Sequence, residues 1–100
     1  DLLGKDMDAA QSAAAVSQAM QRIEGLPEFA AAAIEPPLRQ LAEQLGLKPG
    51  QLFGILRVAI TGQPVSPPLF ETMQLVGRER VQQRLSRAVD LLESLIGAGP

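Results

Sequence analysis

The chain has no cysteine, no histidine, no tryptophan and no tyrosine, and three phenylalanines are its whole aromatic content. Without cysteine there is no disulfide framework, thiolate metal site or thiol nucleophile, a pattern that fits a cytoplasmic protein. Without histidine the commonest general base is missing as well. No glycine-rich phosphate loop follows a strand. The carboxylate pair Asp90 and Glu93 lies on a helix end that reads as solvated. No apolar run approaches the ~20 residues needed to span a bilayer, and no signal-peptide pattern precedes the first helix. We therefore expect no catalytic residues, no metal and no cofactor in this chain. The lack of an initiator methionine makes Asp1 an expected internal cut from a longer polypeptide.

What is present points to helices. A chain of 100 residues suffices for one domain with a modest core, and its alanine, leucine and glutamine favour helix. The net charge of −2 hides an uneven distribution. Positions 1–38 carry Lys5 and Arg22 against Asp1, Asp6, Asp8, Glu24, Glu28 and Glu35. Positions 39–87 reverse the balance: Arg39, Lys48, Arg57, Arg78, Arg80, Arg84 and Arg87 face only Glu43, Glu71 and Glu79. A basic middle within an acidic whole suits a local contact with a polyanion.

Taken in order, the first helical pattern runs from Met7 to Gly25, with Asp6 or Asp8 as its cap. Its apolar face of Ala9, Ala13, Val16, Met20 and Ile23 is thin. A short alanine-rich helix over Glu28–Ile34, anchored by Phe29, would follow. Glu35-Pro36-Pro37 reads as a break that also starts the next helix, whose stripe is Leu38, Leu41, Ala42 and Leu45, ending at Gly46. Pro49 opens a further helix, because the N–H it lacks has no intrahelical partner in the first turn. There Leu52, Ile55, Leu56, Ala59 and Ile60 recur until Thr61-Gly62. Leu69, Phe70, Met73 and Val76 supply the next face, and Gly77 closes it. Over Arg78–Ile96, Val81, Leu85, Ala88, Leu92 and Leu95 repeat at steps of three and four. No β-branched residues cluster with period two. The expectation is an all-α, compact bundle of five or six short helices forming a single domain. Positions 1–34 would be the less firmly packed part, 35–96 the helical core and 97–100 a tail.

Two features do not fit a plain core. Arg57 stands one turn after Phe53 and one turn before Thr61, so a cation must emerge beside an apolar seam. A surface arginine that buries only its stem would do this. A guanidinium that stacks on a base and donates a forked hydrogen bond would do it too, and this chain has few aromatic platforms for that task. The second feature is the elbow Gln63-Pro64-Val65-Ser66-Pro67-Pro68. With Ser66 as cap and the two prolines as first helical positions, Leu69 N–H is the principal free donor of the first turn. An ordinary capped helix after a rigid turn accounts for the same letters. So does a backbone pre-ordered for a ligand.

Leu56-Arg57, Thr61-Gly62, Ser66-Pro67, Leu69 and Gly77-Arg78-Glu79-Arg80 occur in one order and spacing. Together they resemble the C-terminal anticodon-binding region of bacterial glutamyl-tRNA synthetase, a class I aminoacyl-tRNA synthetase. With LRQLAEQLGLKPGQLF upstream, the resemblance covers roughly Leu38–Leu92. It implies recognition of the tRNA(Glu) anticodon loop, with base contacts at Arg57, Ser66, Pro67 and Leu69. It also implies a parent protein whose catalytic and stem-contact domains ligate glutamate to tRNA in translation, using ATP and magnesium. Arg78, Arg80, Arg84 and Arg87 are candidate phosphate contacts, or else a solvated helix face. Arg78 departs from the lysine usual in that family. Arg39 and Lys48 read as solubility charges.

Two other readings carry different consequences. A protein-docking module without RNA binding would expose an apolar patch at Ala9, Ala13, Val16 and Met20. A membrane-surface helix at Arg78–Ile96 is opposed by Asp90, Glu93 and the missing tryptophan.

Overall fold

The computed structural model describes Leu3, residues 6–63 and residues 67–97. Five α-helices account for these residues: α1 Ala9–Glu24, α2 Ala31–Gln44, α3 Pro49–Thr61, α4 Leu69–Val76 and α5 Arg78–Gly97. No strand occurs among them. The all-α expectation holds, with five helices rather than six.

Helix α1 starts at a capping box. Gln11 N–H donates to Asp8 Oδ1 at 2.8 Å, and Asp8 N–H donates to Gln11 Oε1 at 3.1 Å, so two end groups satisfy each other. Ser12, Ala15, Val16, Ala19 and Ile23 then form a buried stripe, and α1 makes the most extensive helix–helix contact of the fold, with α5. Small side chains bury little area each, but they let two helices approach closely. Val16, Ala19 and Ile23 are fully excluded from solvent as a result. The apolar patch that a docking module would expose is buried at Ala13 and Val16.

The Glu28–Ile34 helix and the break at Pro36-Pro37 are corrected by the structure. One continuous helix, α2, carries both prolines in its interior. Each proline removes a backbone bond to the carbonyl four residues earlier. Those carbonyls belong to Ala32, which is exposed, and Ala33, which is partly so. Across the interruption, Ile34 and Leu38 lie one turn apart and both are buried. A helical path through the prolines buries the two together, and that packing overrides local propensity. The first turn of α2 has no side-chain cap of its own. Gln74 of α4 serves instead, its Oε1 accepting from Ala31 N–H at 2.9 Å.

The α2–α3 turn is a Schellman motif. Gly46 takes φ +71°, with Leu47 N–H on Ala42 O at 2.8 Å and Gly46 N–H on Glu43 O at 3.1 Å. Pro49 is the first residue of α3, as expected, and Gly62 closes that helix at φ +75°. Helix α4 begins two residues later than the sequence predicts. Pro68 is its N-cap, at φ −47° and ψ 130°, so Pro67 and Pro68 precede the helix instead of opening it. Ser66, Pro64 and Val65 lie outside the described residues.

In α5, Val81, Leu85, Ala88 and Leu92 are buried, but Leu95 is 57% exposed. The apolar repeat therefore outruns the core by one turn. The radius of gyration of 12.6 Å matches the ~13 Å expected of a compact chain this long. None of the described helices is long and apolar enough to cross a membrane.

Candidate nucleic-acid interface

An α-helix turns about 100° per residue, so Phe53, Arg57 and Thr61 share one flank of α3, beside the buried face of Leu52, Ile55, Leu56 and Ile60. Phe53 meets Phe70 edge-on, with ring centroids 5.1 Å apart and planes at 89°. This contact draws the first turn of α4 back along α3, roughly 12 Å from the α3 C-terminus by helical rise. Arg57 is half-buried one turn beyond Phe53, on the flank that α4 approaches. Behind it, Thr61 Oγ1 donates to Arg57 O at 2.6 Å and accepts from Gln63 N–H at 3.1 Å. The helix end that carries Arg57 is thereby held in place.

On the other side of Phe53 lies Arg39 of α2. Its guanidinium carbon is 5.3 Å from the ring centroid, and its Nε is 2.7 Å from Glu35 Oε2. Arg39 is therefore more than a solubility charge. It forms a planar ledge with Phe53, held by a same-helix ion pair. Sequence reasoning missed it, because no local pattern links position 39 to position 53.

At the start of α4, Leu69 is 3% exposed. Its side chain belongs to the core. With Pro68 as N-cap, the N–H groups of Leu69, Phe70 and Glu71 all lack intrahelical partners, and no side-chain cap engages them among the described residues. Among the described residues, the start of α4 thus leaves three first-turn donors, where the sequence predicts chiefly one.

The four arginines of α5 divide into two pairs. Arg78 Nη1 donates to Ile23 O at 3.3 Å, and its guanidinium carbon sits 5.5 Å from the Phe29 centroid. Arg84 Nη1 donates to Ile60 O at 2.6 Å, placing a cation at the negative end of α3. Arg84 is otherwise exposed, as are Arg80 and Arg87. No cluster of three or more metal-ligating side chains exists among the described residues.

The chain matches a known family over nearly its full length. The family model described as anticodon binding domain covers residues 3–89. The chain belongs to the anticodon-binding domain family. Similar proteins include a glutamate–tRNA ligase of Dehalococcoides mccartyi, 47% identical over 94 residues, which is 94% of this chain and 19% of that protein. Another is a glutamate–tRNA ligase of Chloroflexus aurantiacus, 48% identical over 95 residues, 95% of this chain and 19% of the relative. A third, from Acidothermus cellulolyticus, is 43% identical over 104 residues, 99% of this chain and 20% of the relative. The chain spans about a fifth of the length of these relatives.

Within the anticodon-binding domain, Arg57 and the α4 start, with Leu69 at its head, are brought to one flank of α3. Arg84 and Arg87 come to the other flank of the same helix, near its C-terminal end, where they border Val58 and Ala59. Arg78 is drawn away to α1. The two classes of arginine separate in a stability measurement. Arg78→Ala removes a hydrogen bond and a ring contact, at a cost of about 1–2 kcal/mol. Arg80→Ala, at an exposed position, should change stability by no more than ~0.5 kcal/mol. Paired urea melts check both values.

Proposed function

We propose that this anticodon-binding domain reads the anticodon loop of tRNA(Glu) as part of a glutamate–tRNA ligase. The observation that carries this reading is the position of Arg57. It is half-buried on the flank of α3 to which Phe53 and Phe70 bring the start of α4, in a chain of this family. A guanidinium so placed can stack on a splayed base and donate two parallel hydrogen bonds to its edge. The first-turn N–H groups of α4 and the ring of Pro67 complete the contact, with Ser66 as a further partner. Leu69 acts through its backbone. Arg80 and Arg87 are the phosphate contacts best disposed for the work, because the guanidinium groups of Arg78 and Arg84 already serve the fold.

On this reading the chain performs no chemistry. It positions the pyrimidine-U-C triplet while the catalytic and stem-contact domains of the same polypeptide, using ATP and magnesium, ligate glutamate in the cytoplasm. The supporting physics is economy of ordering: prolines restrict the backbone whether or not RNA is bound, and Arg57 is half-buried on a packed helix, so less entropy is lost on binding.

Binding of RNA hairpins that carry the tRNA(Glu) anticodon loop tests the proposal. At matched salt, single changes within the triplet should weaken binding by about 1–3 kcal/mol each, as expected when a base-reading contact is lost. Equal affinity for hairpins with unrelated triplets would remove the recognition role.

A further inference from the structure

A second subsite lies on the opposite flank of α3 from Arg57. Val58 and Ala59 of α3 and Arg84, Arg87, Ala88 and Leu91 of α5 line a shallow groove of about 170 Å³. That volume is below the ~300–1,000 Å³ of sites that enclose a whole small molecule, so the groove takes one planar ring and not an extended ligand. Its floor is apolar and its rim is cationic. Along α5, Arg80, Arg84, Arg87, Leu91 and Leu95 share one flank by helical spacing, whereas Glu79, Asp90 and Glu93 point elsewhere. Helix α3 contains no acidic residue.

Arg84 is fixed by its bond to Ile60 O, which uses one of the five N–H donors of a guanidinium and leaves the others along the rim. Arg87 is exposed beside it, and Leu91 is 52% exposed at the groove's far end. The requirement is a flat apolar face joined to a negative group. An unpaired nucleotide meets it, because its base stacks on apolar surface and its phosphate pairs with arginine.

We infer that the α3–α5 groove holds one unpaired nucleotide of the bound RNA outside the triplet, its base on Val58, Ala59 and Leu91 and its phosphate on Arg87. This inference rests on the anticodon-loop reading above. The RNA would straddle α3, a helix about 10–12 Å across with its side chains, with the triplet on the Arg57 flank and the neighbouring nucleotide in the groove. Sequence information would come from the first flank, and affinity without triplet preference from the second.

The test measures anisotropy-detected binding of anticodon-loop hairpins to the native chain and to Arg57→Ala, Arg87→Ala and Leu91→Ser, with folding of each checked by circular dichroism. Arg87→Ala should weaken cognate and altered-triplet hairpins alike, by several-fold, and flatten the salt dependence by about one phosphate contact. An abasic substitution at one loop position outside the triplet should cost the native chain about tenfold and cost Leu91→Ser much less. If Arg57→Ala abolishes triplet discrimination while the groove variants bind every hairpin as the native chain does, the groove is not an RNA subsite and the anticodon reading survives. If no variant affects RNA binding, both fall. Self-association in sedimentation that is lost in Leu91→Ser, with RNA affinity unchanged, would make the groove a protein interface and overturn the inference.

Discussion

Arg57→Ala should weaken binding of the cognate anticodon loop by roughly 5–150-fold, equivalent to about 1–3 kcal/mol, while leaving the helical content intact. The size follows from what the side chain can offer. A forked pair to a base edge discriminates by that amount because a wrong or missing partner leaves desolvated polar groups unpaired. The fold should tolerate the change, since alanine is a better helix former than arginine and the buried face of α3 is Leu52, Ile55, Leu56 and Ile60. Arg57→Lys separates charge from geometry. It keeps the cation and loses the planar fork, so it should recover electrostatic affinity without recovering triplet preference. In a glutamate–tRNA ligase carrying Arg57→Ala, efficiency on tRNA should fall and amino-acid activation should persist. Affinity equal to that of the native chain, at the same ionic strength, would sink the assignment.

Leu85→Ala should lower stability by about 2–5 kcal/mol, and Leu95→Ala by no more than ~0.5 kcal/mol. Both leucines fall on the same apolar repeat of α5, yet Leu85 is fully buried and Leu95 is 57% exposed. Removing the Leu85 side chain opens a cavity in the core, where α5 packs against α1 and α3. The total stability of a domain this size is ~5–15 kcal/mol, so the loss is a large fraction of it. A fall in Tm of roughly 10–25 °C should accompany it. Leu95 lies beyond Leu92, the last buried residue of α5, and its truncation exposes little that was covered. Similar melting temperatures for the two variants would contradict the packing described for α5.

Local signals were sufficient for most helix boundaries. Asp8, Gly46, Pro49 and Gly62 act through the chemistry of their immediate neighbours, and each ends or starts a helix where its type predicts. The misreadings share another cause. Pro36 and Pro37 look like a stop until one sees that Ile34 and Leu38 are both buried. Pro67 and Pro68 look like a first turn, but the helix waits for Leu69, whose side chain enters the core.

The candidate site divides along the same line. Arg57 and the proline elbow stand out in the letters, because a cation beside an apolar seam and a run of prolines are local anomalies. Arg39 against Phe53, Gln74 at the head of α2, and the division of labour among Arg78, Arg80, Arg84 and Arg87 are long-range facts.

By itself the sequence determined that the chain is helical and where most helices begin and end. Caps, prolines and helical spacing act within a few residues, so they are readable in one dimension. Only the tertiary structure decided which apolar residues form the core, which arginines hold helices together and which face outward. Burial and charge pairing depend on partners distant in the chain, and those partners are chosen when the helices pack.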